Sequence, residues 1–132
     1  MTSMRVLIVD DNVLNVELAA FLLDQAGVKV ESALDALEAM AKIPVFQPDL
    51  VLMDIQMPGM NGLELTQRLK RASATRQMTI VAFTGYAMKG DEAKMREAGC
   101  DGYLSKPIDV ATFSDSVKAF LKAPHSQPPT DS

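Results

Sequence analysis

The chain has 132 residues, of which 48% are apolar and 23% are charged, and this composition is typical of one globular domain. Seventeen acidic residues against thirteen Lys and Arg give a net charge of −4, which disfavours non-specific binding to nucleic acid or to an anionic membrane. No apolar run reaches the ~18 residues that a membrane span requires. Cys100 is a single cysteine, which excludes an internal disulfide, so we expect a reducing compartment, the cytoplasm.

Short apolar runs alternate with longer amphipathic segments along the chain. The runs that predict strands lie at residues 5–9, 28–32, 49–53, 79–83 and 103–104. Apolar residues at helical spacing predict the first, second and last helices, through Leu14, Leu18, Phe21 and Leu22, through Leu34, Leu37, Met40 and Ala41, and through Phe113, Val117, Phe120 and Leu121. Residues 63–71 and 88–98 supply two further helices, the second with a thin apolar stripe.

These elements predict an α/β fold with a doubly wound, five-stranded parallel sheet. Strands that alternate with helices form βα units, and such units place helices on both faces of the sheet. The strands are nearly continuous apolar runs, as expected of parallel strands that are buried on both faces. We therefore interpret residues 1–123 as one domain. Residues 124–132 contain three prolines and no periodic pattern, which predicts a disordered tail.

Polar side chains follow four of the five predicted strands. Asp10 and Asp11 follow the first strand, Asp54 the third, Thr84 the fourth and Lys106 the fifth. Ligands of an open parallel sheet bind beyond the carboxyl ends of its strands, so these side chains are expected at one edge. Each residue alone has an ordinary structural interpretation, with the acid pair as a cap of the first helix and the others as turn, strand-end or solvated side chains. Their coincidence at one edge favours a functional site.

The chemistry of this edge points to a metal ion and a phosphate. Three carboxylates close together repel one another unless a cation or protons intervene, and one lysine does not neutralise three. Oxygen ligands without His or Cys favour a hard cation, most simply Mg²⁺ with several retained waters. Thr84 and Lys106 supply a hydroxyl group and a positive charge for phosphoryl oxygens. Asp54, on a central strand, is the best-placed nucleophile for an aspartyl phosphate.

Four segments carry a resemblance to a known family: Val-Asp-Asp-Asn at 9–12, Leu-Met-Asp-Ile-Gln-Met-Pro-Gly-Met-Asn-Gly at 52–62, Phe-Thr-Gly-Tyr-Ala at 83–87 and Gly-Tyr-Leu-Ser-Lys-Pro at 102–107. In order and spacing they resemble the receiver domains of two-component response regulators, the CheY-like superfamily, over residues 4–122. Residues 11–15 and 87–92 look most like single-domain receivers of the DivK type, and they are also similar to receivers of hybrid histidine kinases. The resemblance implies a flavodoxin-like (βα)5 fold with strand order 2-1-3-4-5.

The resemblance also implies a phosphorelay function. Asp54 would accept a phosphoryl group from a phosphohistidine of a histidine kinase or a histidine phosphotransferase. Asp11 and Asp54 would bind Mg²⁺ directly, Asp10 would act largely through water, and the backbone carbonyl of Gln56 would complete the protein ligands. Such a protein is a signalling module and not an enzyme in the usual sense, although it would catalyse its own phosphorylation and dephosphorylation.

The remaining residues of the site have implied roles in the signal. Lys106 would pair with the phosphoryl group, Thr84 would move to hydrogen-bond it, and Tyr103 would turn inward when Thr84 moves. Gly85 is small and leaves the phosphoryl site open to water or to a partner. Two side chains next to the rim are expected to tune the lifetime of the phosphoryl group, Gln56 and Tyr86.

The partners are expected to be proteins. The docking patch for a kinase or phosphotransferase is predicted at Val13, Leu14, Asn15, Pro107 and Ile108, whereas Leu18 is expected in the core. Nothing in the 132 residues is left for an output domain, and no basic recognition helix follows for direct DNA binding, so we expect a downstream protein target. A phosphorylation-dependent homodimer through residues 88–122 stays open.

Three alternatives compete with this interpretation. A receiver excised from a hybrid histidine kinase or a multidomain response regulator is the main one. A Mg²⁺-dependent phosphatase of the haloacid dehalogenase type also uses an aspartyl phosphate, but it would carry its nucleophile on the first strand in a DxD arrangement, whereas here the two acids are adjacent. A flavodoxin-like electron carrier needs a hydroxyl-rich phosphate loop, and the acidic residues 9–12 have the wrong charge for one. Cys100 is interpreted as an inert packed residue.

Overall fold

The apolar runs of the sequence form a parallel sheet at the centre of the molecule. A computed structural model describes residues 4–55, 62–85 and 91–122 of the chain. The strands are β1 (Arg5–Val9), β2 (Lys29–Ala33), β3 (Leu50–Asp54), β4 (Thr79–Thr84) and β5 (Gly102–Ser105). They pair in parallel in the order β2-β1-β3-β4-β5, which confirms the predicted fold class and strand order.

The helices follow the strands in strict alternation. They are α1 (Val13–Gln25), α2 (Ala36–Phe46), α3 (Gly62–Arg71), α4 (Asp91–Ala98) and α5 (Phe113–Lys122). The fourth helix lies within the segment predicted at 88–98, and residues 88–90 of that segment lie outside the described part of the chain. In the part of the chain that the structure describes, no helix has the length and apolar character needed to cross a membrane.

Alternate side chains of each central strand enter one of two core layers, as the pleat of a strand requires. Leu7, Val9, Val51 and Met53 lie in the layer that also contains buried residues of α2, α3 and α4. Their neighbours along β1 and β3 face the other way, into the layer under α1 and α5. Both faces of the sheet are therefore covered, which explains why β3 and β4 are buried along their whole length.

The buried face of α1 differs from the predicted one. Leu14 is 76% exposed, Phe21 is 59% exposed and Leu18 is 37% exposed, so the expectation that Leu18 belongs to the core is wrong. The helix instead buries Val16, Ala19 and Leu23. Apolar residues occupy nearly every side of this helix, so the periodicity offers two faces, and the face with a small alanine at its centre is the one that packs on the sheet.

In α2, too, the buried face differs from the predicted one. Ala36, Ala39 and Ile43 are buried, whereas Leu37 of the predicted stripe is 81% exposed. In α5, by contrast, the predicted face is the observed one, because Phe113 and Val117 are buried in the core. The side chain of Leu121 lies outside the described residues.

Lys70 connects the carboxyl end of α3 to the segments that precede β4 and β5. Its ammonium group donates to the Met78 carbonyl at 2.8 Å and pairs with Asp101 at 2.9 Å. The Asp101 carboxylate in turn accepts the Ile80 backbone N–H at 2.8 Å. This network holds the loops before β4 and β5 in register, and so it positions the two strands whose far ends carry Thr84 and Lys106.

Candidate functional site

The carboxyl ends of four strands bring the predicted site residues together. Asp10 follows β1, Asp54 ends β3, Thr84 ends β4 and Lys106 follows β5. Asp10 is fully buried and Asp54 and Thr84 are nearly so, although all three are polar. Polar groups are rarely buried without partners, so this burial marks a built site and not a set of surface side chains.

Three carboxylates converge at this edge. Asp10, Asp11 and Asp54 each offer an oxygen atom, and these atoms all lie within 4.8 Å of one another. Asp11 is exposed, so the cluster opens to solvent on one side. Three negative charges at this spacing repel one another strongly when two of them are buried, and the cluster therefore favours a bound cation.

The local backbone holds the first carboxylate in place. The Asn12 backbone N–H donates to Asp10 Oδ1 at 2.9 Å, and the Asp10 backbone N–H donates to the Ala33 carbonyl at 3.0 Å. Asn12 caps α1, since its side chain accepts the Asn15 N–H at 3.1 Å. The alternative in which the acid pair caps the first helix is therefore wrong, and both carboxylates are left for the site.

Lys106 reaches into the carboxylate cluster. Its Nζ lies 2.9 Å from Asp10 Oδ2 and 3.4 Å from Asp54 Oδ2. The ammonium group also lies 5.1 Å from the centroid of the Phe83 ring, within the range of a cation–π contact. The backbone N–H of Lys106 donates to the Thr84 carbonyl at 2.8 Å, so the two residues are fixed to each other. Lys106 is thus a counter-ion of the site, and its interpretation as a solvated lysine is wrong.

One oxygen of the cluster is buried without a hydrogen bond. Asp10 Oδ2 accepts no hydrogen bond from the described residues, and its contact with the Lys106 ammonium group at 2.9 Å is an ion pair. A buried carboxylate oxygen in this condition is a site for a further cation or for ordered water. The donor set consists of oxygens alone, which fits Mg²⁺.

Two glycines shape the space beside Asp54. Gly85 is exposed, and among the described residues a Cβ built on it would meet nothing nearer than Lys106 Cβ at 4.0 Å, so these residues leave room beside Thr84. Gly62, at the start of α3, packs directly on the backbone of β3, where a Cβ would lie 2.7 Å from Ile55 Cα. Only glycine allows this approach.

Sequence reasoning missed the parts played by Gly62 and Phe83. The signal for Gly62 was its place as the first helical residue after the strand that ends in Asp54. The signal for Phe83 was its position directly before Thr84, in register with Leu104 of β5. Gly62 packs on the backbone at Asp54, and the Phe83 ring packs under the Lys106 ammonium group. Neither residue has a polar side chain, so a search for polar side chains at strand ends does not find them.

The other predicted residues are spread around this cluster. Tyr103 lies on β5 and is 36% exposed, at the mouth of a groove that also contains Met95 and Phe120. The predicted docking residues Val13, Leu14 and Pro107 are exposed, and Asn15 and Ile108 are half-buried. Gln56 and Tyr86 lie outside the described residues.

Comparison with known proteins gives the family. The model of the response regulator receiver domain matches residues 6–118. The chain belongs to this family. The receiver domain is 42% identical over 116 residues to the polar-differentiation response regulator DivK of Brucella anthropi, and the match covers 88% of this chain and 94% of that protein. DivK of Brucella abortus (strain S19) matches with the same identity and coverage.

Solved receiver structures share the architecture. The chemotaxis protein CheY4 of Vibrio cholerae superposes on this receiver domain with a TM-score of 0.85 at 27% identity, over 90% of this chain and 99% of that one. A CheY-like receiver domain protein of Methanospirillum hungatei gives a TM-score of 0.82 at 32% identity, over 91% and 94% of the two chains. Receiver domains are signalling modules that bind Mg²⁺ at an acidic pocket, and this chain has an Asp cluster at the carboxyl ends of its strands.

Proposed function

We propose that this receiver domain accepts a phosphoryl group on Asp54 from a phosphohistidine of a histidine kinase or a histidine phosphotransferase, and then signals to another protein through a change of surface. The observation that carries the proposal is the convergence of three carboxylates with the Lys106 ammonium group. Carboxylates and one lysine in this arrangement suit phosphoryl transfer, in which charge on the transferred group must be neutralised.

The transfer step needs few groups from the protein. An oxygen of the Asp54 carboxylate forms a bond to phosphorus while the P–N bond of the phosphohistidine breaks. The electron pair of that bond stays on the imidazole nitrogen, which takes up a proton. Asp54 is 4% exposed, so its carboxylate is held in a fixed orientation at the end of β3, and this orientation supplies the positioning that such a reaction requires.

The acidic residues of the site would hold a metal ion. Asp10, Asp11 and Asp54 would hold Mg²⁺ together with the backbone carbonyl of Gln56. When bound, the ion would neutralise negative charge that the phosphoryl group brings to the site. The buried Oδ2 of Asp10, which has no hydrogen bond among the described residues, supports this assignment.

Phosphorylation replaces the single negative charge of the Asp54 carboxylate with the close to two negative charges of an acyl phosphate, next to carboxylates that already repel one another. Lys106 is 3.4 Å from Asp54 Oδ2, and a short movement of its ammonium group towards the phosphoryl oxygens would offset part of this charge. The Thr84 hydroxyl, at the end of the neighbouring strand, would donate to the same oxygens. Gly85 leaves the acyl phosphate open to water, and the side chains of Gln56 and Tyr86 would set how fast water reaches it.

The signal would travel from Thr84 to Tyr103. The two residues lie on adjacent strands, since Thr84 pairs with Ser105 and Ala82 pairs with Tyr103. A groove of about 240 Å³ beside Tyr103 is lined by Met95, Arg96 and Phe120, among others. A rotation of the tyrosine would change the surface that α4, β5 and α5 present to a downstream protein.

The phosphodonor would dock on α1. Leu14 is 76% exposed and Val13 is 50% exposed, and both lie in the first turn of the helix that follows the acid pair. Pro107 and Ile108 follow Lys106 on the other side of the site. The exposed Leu18 and Phe21 extend this apolar surface along α1, so it suits an apolar face of a partner helix.

Phosphate incorporation tests the proposal. Wild-type protein with Mg²⁺ and acetyl phosphate should gain one acid-stable, hydroxylamine-labile phosphoryl group, read by intact mass, and the Asp54→Asn variant should gain none. Asp115→Asn, which removes a carboxylate from the first turn of α5, is the matched control and should label like the wild type. Stoichiometric labelling of Asp54→Asn would overturn the assignment of the acceptor.

A further inference from the structure

The outer face of α2 is an unpartnered apolar surface. Leu37 is 81% exposed and Val45 is 86% exposed, and Ala41 between them is exposed as well. These three residues are spaced four apart, so they form one ridge along the helix. Met40 and Pro44, beside the ridge, are also exposed. A surface helix normally turns polar residues to solvent, so this ridge indicates an interaction surface.

A hollow adjoins the carboxyl-terminal end of this ridge. It has a volume of about 610 Å³ and lies between α2 and the edge strand β2, with Ala41, Val45 and Phe46 forming its apolar wall. Arg5 and Lys29 lie on its opposite wall. Within the described residues, neither of these two side chains has a carboxylate partner, whereas Lys42 is paired with Glu31 and Glu38. The carboxyl-terminal end of the ridge is therefore apolar with a positive rim.

The amino-terminal end of the same helix has the opposite character. Asp35 is the N-cap of α2, and Glu38 lies in its first turn. The backbone N–H of Leu34 lowers the pKa of Glu38 by donating a hydrogen bond to it, so this carboxylate is ionised at neutral pH. One end of the ridge thus carries more acidic than basic side chains, with Asp35, Glu38 and Glu31 against the single Lys42, and the other end carries the positive rim.

We propose that a second copy of this chain covers the ridge, with the two α2 helices antiparallel about a two-fold axis near Ala41. In this arrangement Leu37 of each copy packs on Val45 of the other, at the mouth of the hollow. The acidic end of each helix meets the basic rim of its partner, which makes the surface complementary to itself. Alanine at the axis allows the two helices to approach closely.

The dimer is expected to be weak and independent of phosphorylation. Contact along one helix of 11 residues, ~16 Å long, gives an interface near or below the ~1,200 Å² lower limit of standard complexes, so we expect transient association. Arg5 and Lys29 begin their strands, whereas the carboxylate cluster lies at the strand ends. The hollow is therefore near the amino-terminal ends of the strands, whereas Asp54 lies at their carboxyl-terminal ends.

A charge-swap series tests the arrangement by sedimentation equilibrium of the full chain at rising protein concentration. Leu37→Glu and Val45→Lys alone should each weaken the dimer about tenfold or more, because each removes an apolar contact at both symmetry-related pairs and requires a charge to be desolvated in its place. The double variant should recover most of the affinity, since the introduced carboxylate of one copy then faces the introduced ammonium group of the other. Within one copy the two positions are ~12 Å apart along the helix and do not pair.

Three further measurements separate this dimer from other interpretations. Leu14→Glu, an equally exposed leucine on the other face of the sheet, should leave the dimer intact. Leu37→Glu should label at Asp54 with acetyl phosphate like the wild type, and Asp54→Asn should dimerise like the wild type. A chain that stays monomeric at about 1 mM, a double variant without recovery, or a dimer that forms only after phosphorylation would each overturn the proposal.

Discussion

Replacing Gly62 with alanine sets two physical effects of opposite sign against each other. Gly62 is the first residue of α3, and alanine is the better helix former by up to about 1 kcal/mol, so helix propensity alone predicts a more stable protein. A Cβ at this position would lie 2.7 Å from Ile55 Cα and 2.9 Å from the carbonyl carbon of Asp54. Carbon atoms in favourable contact are about 3.5–4.0 Å apart, so the backbone of α3 or β3 must move by about 0.7 Å or more.

We expect the steric effect to exceed the propensity effect. Overpacking against backbone lies in the upper part of the range of about 1–3 kcal/mol. After subtraction of the propensity gain, the net loss of about 1–2 kcal/mol lowers Tm by about 4–8 °C in a chain of 132 residues. The displaced atoms belong to Asp54 and its neighbour, so the rate of phosphate incorporation from acetyl phosphate should also fall, by about tenfold or more.

Urea denaturation followed by circular dichroism measures the first effect, and a time course of intact mass measures the second. Gly85→Ala is the control for stability, because its Cβ would lie 4.0 Å from Lys106 Cβ in ordinary contact, and we expect a change within about 0.5 kcal/mol. A Gly62→Ala protein as stable as the wild type, or more stable, would refute the reasoning.

Three other variants test the site, the docking surface and the core. Lys106→Ala should still bind Mg²⁺ but lose the phosphorylation-induced change in the amide NMR spectrum, and an unchanged spectral shift would reject the role of Lys106. Leu14→Glu should slow phosphoryl transfer from a phosphorylated histidine phosphotransferase about tenfold or more while leaving labelling by acetyl phosphate unchanged, with Leu37→Glu as its control; equal transfer rates for the two variants would remove α1 from the docking surface. Burial raises the pKa of the Cys100 thiol from 9.0 to about 11, so the unfolded chain ionises first as pH rises. The stability from the buried thiol is complete below pH 9 and is lost towards pH 11, by about 2–3 kcal/mol, and Cys100→Ala should lack this alkaline loss in pH-dependent urea titrations; parallel titrations of the two proteins would contradict it.

The centre of the sheet could be predicted because β1, β3 and β4 are buried on both faces. Leu50 to Met53 are apolar without interruption, and such a run has one structural interpretation when turn residues and amphipathic segments flank it. The site could be predicted for a related reason. A parallel sheet carries the residues that follow its strands to one edge, so Asp10, Asp54, Thr84 and Lys106 meet whatever the details of the helices.

The buried faces of α1 and α2 could not be predicted from periodicity. In α1, Val16, Ala19 and Leu23 form a stripe as regular as the stripe through Leu14 and Leu18, and the pattern does not choose between them. The choice depends on which side chains fit against the sheet, and this is a property of the packed structure. The close approach of Gly62 to β3 is of the same kind, because it depends on atoms that are adjacent only after folding.

The position of Lys106 separates folding from metal binding. Two carboxylates, Asp10 and Asp54, are buried, and a chain that depended on Mg²⁺ to neutralise them would unfold whenever the ion was removed. Lys106 supplies a permanent internal cation at 2.9 and 3.4 Å from the two groups. The amount of folded protein should therefore be insensitive to a chelator, whereas its capacity to be phosphorylated should follow the concentration of free Mg²⁺.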